Sequence, residues 1–195
     1  MLADNDTTIS VCPRVLTLTV DVPCANLSQR FPNIDTLIAL SDCEIGGDFR
    51  RLRRLTTISM KILSSLTQRI HTVTLIGTDE VLTHSNIYRN VCHLVIEDAK
   101  IDSAAMVAGL VRCFPNLRSL NIQFRMSKDY FDSLDMILDG QHLPHLAVFT
   151  TNWVDENKEN TWKINGWLFH KTILKWRSTS FYGSRMASDQ WTVWL

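Results

Sequence analysis

The sequence predicts an α/β fold: a solenoid of short repeats with a parallel sheet on one face, short helices on the other, and an atypical tryptophan-rich cap at its C-terminal end. Three observations lead there. An apolar triplet spaced apolar-x-x-apolar-x-apolar recurs along the chain, four of the five prolines stand at one offset from it, and every tryptophan falls in 153–195, where the triplet stops.

The triplets are Val15, Leu18, Val20; Ile34, Leu37, Ala39; Leu55, Ile58, Met60; Ile70, Val73, Leu75; Val91, Leu94, Ile96; Leu117, Leu120, Ile122; and, more weakly, Leu146, Phe149, Thr151. The last two positions of each have the period of two expected of a half-buried strand. The Thr, Val and Ile around them suit a pleated surface. Successive starts differ by 19, 21, 15, 21, 26 and 29 residues. The short interval flags the third unit. Beginning it at Leu52, with Leu55 and Thr57, would even the spacing to 18 and 18 but would place a threonine in the core. The apolar register starting at Leu55 is therefore preferred.

Pro13, Pro32, Pro115 and Pro144 each lie two residues before a triplet, after Cys12, Phe31, Phe114 and Leu143. The pattern predicts a helix ending on an inward apolar residue, a proline that stops it, and a strand that follows. The clearest helix spans Ser103 to Phe114, capped by Asp102 or Ser103, with Met106, Val107, Leu110, Val111 and Phe114 on one face. A second runs from Lys128 to Leu138, with Gly140 just beyond. Cys24 to Phe31 holds two or three turns. The chain divides into a tail (1–10), irregular repeats (11–152) and a capping element (153–195). The last carries a helix near Thr161 to Lys171 and strands at Ile173–Arg177 and Trp191–Leu195, separated by a turn region with Gly183. The end of a repeat array needs such a lid.

The segments FPNIDTLIAL and FPNLRSLNIQF resemble leucine-rich repeats, which run roughly 20–29 residues, particularly the irregular repeats of F-box proteins. The tail FYGSRMASDQWTVWL is similar to the ends of large invertebrate families of these. The resemblance spans about Val11 to the end. It implies the target-recognition part of an F-box subunit of a cullin-type (SCF) ubiquitin ligase. The F-box itself, a helical segment preceding the repeats, is absent from this chain because the first strand begins near Val15, so the ligase adaptor is a partner only if an F-box lies upstream. The ninth position of each unit (Pro23, Asp42, Leu63, Thr78, Ala99, Arg125, Val154) also lacks the regular asparagine of the family.

Between the buried positions, side chains point to the open face. The expected protein-binding residues are Thr36, Ile38, Leu40, Thr57, Ser59, Thr72, Thr74, His93, Val95, Glu97, Ser119, Asn121 and Gln123, with an apolar spot at Ile38, Leu40 and Ile76. Strand preference alone also explains the threonines, which ladder well. The RRLRR run at 50–54 reads foremost as the solvated end of a short helix, and otherwise as a site for an acidic partner, RNA phosphate or a nuclear import receptor.

Twenty basic and twenty acidic residues cancel, which argues against a dedicated nucleic-acid binder. No apolar run is long enough for a membrane span, and the first ten residues lack an export signal. Five cysteines with no CxxC pair then point to reduced thiols in a cytoplasmic or nuclear protein. His142 and His145 offer two ligands where zinc needs four. Gly46–Gly47 lacks the residues of a phosphate loop, and no nucleophile elbow occurs. No cofactor is expected, and a protein-interaction module that is not an enzyme is the leading expectation. The alternative is a small α/β enzyme with a cleft at the strand C-terminal ends.

Overall fold

The computed structural model describes residues 10–24, 26–42, 45, 47–66, 69–77, 86–101, 103–125, 130–138, 140–154, 182–187 and 190–194. It is an α/β structure built on seven consecutive parallel strands: β1 (Thr17–Val20), β2 (Thr36–Ala39), β3 (Arg54–Thr57), β4 (Thr72–Ile76), β5 (His93–Ile101), β6 (Ser119–Arg125) and β7 (Val148–Val154). Each pairs with the next in chain order. Two antiparallel strands, β8 (Tyr182–Ala187) and β9 (Gln190–Trp194), continue the sheet in the order β7-β9-β8.

Register explains why the triplet recurs. Leu18, Leu37, Leu55, Val73, Leu94, Leu120 and Phe149 stand opposite one another across the ladder, as do Val20, Ala39, Thr57, Leu75, Ile96, Ile122 and Thr151. A third row (Ile34, Leu52, Ile70, Val91, Leu117, Leu146) lies just before the strands, and all of it is buried in one apolar core. Each Leu, Ile or Val so enclosed contributes about 1.5–3 kcal/mol of burial. Only in the first unit is the enclosure partial, where Val15 and Leu18 are half-buried.

The third unit corrects the expected register. Leu55 pairs with Leu37 and Val73, and Thr57 with Ala39 and Leu75, so this unit starts at Leu52. Thr57 and Ser59, expected on the open face, are 0 % and 4 % exposed. The objection to a buried threonine is met by local hydrogen bonding. Thr57 Oγ1 accepts from the Ser59 backbone N–H at 3.0 Å and lies 3.3 Å from the Ser59 carbonyl, to which it donates. Met60, expected in the strand, instead opens helix α2 (Met60–Leu66). Ser59 Oγ accepts from the Lys61 N–H at 3.3 Å and donates to Asp42 Oδ1 at 2.7 Å, joining the start of α2 to the loop after β2.

The prolines do not end helices by blocking them alone; they occupy tight turns. Cys12–Val15, Phe31–Ile34 and Leu143–Leu146 each close with an N–H to carbonyl bond between first and fourth residues, and Pro is the second residue, where its fixed φ fits. The same closure occurs without proline at Phe49–Leu52 and Tyr88–Val91. Phe49, Tyr88 and Phe114 are buried, and the rings of Tyr88 and Phe114 stack at 5.1 Å. In six of the seven units an apolar residue thus stands three before the triplet (the fourth has Thr67 there), with proline optional. RRLRR is therefore not a helix end: Arg50 and Arg51 are the exposed centre of a turn.

Adjacent turns are also tied to each other. Asn33 Nδ2 donates to the Pro13 carbonyl at 2.9 Å, Arg69 Nη1 to the Arg50 carbonyl at 2.9 Å, and Asn116 Nδ2 to the Arg89 carbonyl at 2.8 Å. In each case the residue just before one triplet reaches the residue two before the preceding triplet. Beyond the turns, a single carbonyl receives two successive N–H groups from the next unit. Leu16, Asp35, Arg53, His71, Cys92 and Arg118 all do this. Backbone polarity at the strand entrances is satisfied by repetition.

The helices lie between strands in sequence. Helix α1 (Leu27–Arg30) is one turn, shorter than the two or three expected; Asn26 before it is left-handed, at φ 59°, and supplies no side-chain cap. Helix α3 (Ala104–Cys113) matches expectation, with Ser103 Oγ capping the Met106 N–H. Helix α4 (Tyr130–Leu138) starts inside its expected span. Gly47, at φ +133°, sits so close to Ser28 of α1 that a methyl group there would collide with the serine Oγ. At the C-terminal end, the expected strand near Trp191 is present as β9, while Gly183 lies in β8 and not in a turn. The expected helix at 161–171 and strand at 173–177 fall outside the described residues. Among the described residues, no helix is long and apolar enough to cross a membrane.

Candidate binding face of the sheet

The side of the sheet opposite the core carries three rows. The first begins each strand: Thr17, Thr36, Arg54, Thr72, His93, Ser119 and Val148. The second runs through Thr19, Ile38, Thr56, Thr74, Val95, Asn121 and Thr150. Their side chains are half-buried or exposed, as neighbours on a pleated surface shield one another. The third follows the short strands or continues the longer ones, with Asp21, Leu40, Ile58, Ile76 and Glu97. Leu40 and Ile58 are 47 % and 38 % exposed.

Of the expected face residues, Thr36, Ile38, Leu40, Thr72, Thr74, His93, Val95, Glu97, Ser119 and Asn121 come together on this side. Gln123 is in β6, opposite Asn152, but its side chain lies outside the described residues. Thr57 and Ser59 go to the interior. Arg54, Thr56 and Ile58 take their places, so the apolar spot becomes a continuous strip, Leu40–Ile58–Ile76. The even spacing of 18 and 18 was the sequence signal for this exchange.

Charge is sorted across the face. Four positions per unit form its N-terminal edge: the two central turn residues and the two preceding the middle apolar residue. These positions hold eight arginines (14, 50, 51, 53, 54, 69, 89, 118) and one carboxylate, Asp35. Arg53, Arg54, His71, His93 and Arg118 are exposed. The ion pairs among the described residues are Arg50–Asp48 at 3.5 Å and Lys61–Asp42 at 3.4 Å, which leave this central group without a carboxylate in contact. The C-terminal edge carries Asp21 and Glu97 instead, together with Asp42, whose charge is matched by Lys61. The bond from Ser59, then that from Lys61, holds the Asp42 carboxyl below the ordinary carboxylate range.

Elsewhere, a depression of about 410 Å³ lies between residues 47–52 and the end of α2, lined by Asp48, Phe49, Ser64 and Arg69 among others. Above it Ser64 Oγ contacts Tyr88 Oη at 2.8 Å and accepts from Asn86 Nδ2 at 3.1 Å, a lock between α2 and the following turn. Among the described residues Cys12, Cys24, Cys92 and Cys113 form no disulfide, and burial pushes the Cys113 thiol up. His142 and His145 are exposed on either side of Pro144, and no group of three or more metal-ligating side chains occurs among the described residues. No protein-family model matches the chain, and no curated protein matches it.

Proposed function

We propose that the chain is an irregular leucine-rich-repeat solenoid acting as a protein-interaction module, with a protein ligand bound on the open face of the sheet. The observation that carries this reading is the constant strand entrance: in unit after unit, one carbonyl takes two N–H groups from the next unit, and outward side chains stack in rows. Such stacking presents an extended surface with backbone groups already satisfied, so its side chains are left for a partner. Residues 153–195 serve in this reading as the cap, with β9 and β8 closing the last parallel strand. The narrower reading, target recognition for an SCF ubiquitin ligase F-box subunit in the cytoplasm or nucleus, is supported by the likeness of FPNIDTLIAL, FPNLRSLNIQF and the C-terminal tail to that family.

The test is affinity capture from extract with mass spectrometry, comparing the unaltered chain with Thr74→Trp and His93→Trp, which place bulk in the second and first outward rows. Partners lost from both variants support the open face. An identical partner set on all three removes it. For the narrower reading, a native transcript encoding an in-frame F-box segment whose product binds the purified ligase adaptor is the expected result; a product that ignores the adaptor ends the ligase assignment.

A further inference from the structure

We propose that the ligand is an acidic amphipathic helix lying across the strands, its carboxylates on the arginine edge and its apolar residues on the Leu40–Ile58–Ile76 strip. This rests on the open face being the binding surface and adds what the partner must look like.

Charge sets the first requirement. Arg53, Arg54 and Arg118 are exposed and have no carboxylate in contact among the described residues, although the whole chain is neutral. A neutral protein that gathers arginine on one edge of a face and carboxylates on the other presents a field that orients a partner. Arginine also offers the fork geometry that grips carboxylates.

Spacing sets the second. Neighbouring strands lie about 4.8 Å apart, and a helix advances about 5.4 Å per turn. From unit 3, with Arg53 and Arg54, to unit 6, with Arg118, there are three strand intervals, over which a helix drifts by only about 2 Å, within the reach of an arginine. An extended peptide repeats same-side residues every 6.6 Å or so and would drift by roughly 5 Å.

Width sets the third. Arg54 opens β3 and Ile58 directly follows it, four residues on and about 13 Å away at extended spacing, close to the 10–12 Å breadth of a helix with its side chains. One flank would meet arginine while the other meets Leu40, Ile58 and Ile76. Nucleic acid fits less well. The carboxylates Asp21 and Glu97 repel a wide polyanion, the apolar strip offers its phosphates no partner, and the outward rows of β1–β7 contain no Phe, Tyr or Trp for base stacking.

The experiment selects binders to the full chain from a phage-displayed library of random peptides about 16 residues long, enough for a helix to cross the face. The enriched peptide is then synthesised with a fluorophore for anisotropy titration. The expected winners carry Asp or Glu at helical spacing of three and four with a separate apolar stripe. The triple variant R53E/R54E/R118E, whose circular dichroism checks its fold, is expected to bind at least about tenfold more weakly. The same variant should recover binding to a peptide with Lys in place of Glu, while R112E, on exposed α3 surface, leaves affinity unchanged. Winners without carboxylates, no winners at all, or a single-stranded RNA of about 20 nucleotides that binds more tightly than any peptide would each overturn the proposal. Binding lost in Thr74→Trp but kept in the triple variant rejects the acidic helix and leaves the open face standing. Binding kept in both rejects the two together.

Discussion

Thr57→Asp and Ile58→Asp, made separately, ask which of two adjacent side chains faces the core. Thr57 is 0 % exposed between Ala39 and Leu75. A carboxylate there would be a buried charge, and one left uncompensated costs about 3–5 kcal/mol. Against a typical total stability of about 5–15 kcal/mol, that is a large share. For a chain of this size each kcal/mol moves Tm by roughly 2–4 °C, so a fall of about 6–20 °C is expected from thermal melts followed by circular dichroism. Ile58→Asp, on the outer strip at 38 % exposure, should cost no more than about 1 kcal/mol. The first deficit should also depend on pH. Burial raises the folded-state pKa of the new carboxyl above its unfolded value, so the penalty is small where both states are protonated and grows as pH rises through the unfolded pKa. A larger loss from Ile58→Asp than from Thr57→Asp would restore the register starting at Leu55.

Four further outcomes follow from named contacts. Thr151 occupies the same inward row as Thr57, but its buried Oγ1 has no hydrogen-bond partner among the described residues; Thr151→Val should stabilise by about 1 kcal/mol in urea titration, whereas Thr57→Val should destabilise by a similar amount by stranding the Ser59 N–H. Asn33→Ala and Asn116→Ala each remove one bond between turns and should cost about 0.5–1.5 kcal/mol, adding in the double variant because the two sites share no partner. The Asp42 carboxyl, depressed in the fold, stabilises above its unfolded pKa and loses that effect as pH falls through its folded value; Ser59→Ala should move its NMR titration upward. Gly47→Ala forces a methyl against Ser28 at a left-handed φ and should lower stability by about 1–3 kcal/mol, measured by chemical unfolding.

What was legible in the sequence is what repetition dictates. Leu18, Leu37, Leu94 and Leu120 could be aligned because a side-chain period of two leaves one choice of face once a row must be buried. The third unit misled for a definite reason: Ile58 and Met60 are more apolar than Thr57, and hydrophobicity alone carries no record of the hydrogen bonds that make a buried threonine acceptable. Phe49 and Tyr88 escape a reading keyed to proline, because the apolar residue that opens the turn is the part that packs. The sorting of arginine to one edge was hidden because Arg14, Arg69, Arg89 and Arg118 are far apart in sequence, and only the parallel register brings them to one side.

The most direct measurement is a methyl NOESY spectrum on chain labelled at Leu, Val and Ile. If the strands stack in parallel around one interior, methyl contacts should link Leu37 to Leu55, Leu55 to Val73, Val73 to Leu94 and Leu94 to Leu120 in unbroken succession. Methyls of those residues that see only sequence neighbours, or a break between any two of them, would contradict a shared core and with it the proposed binding face.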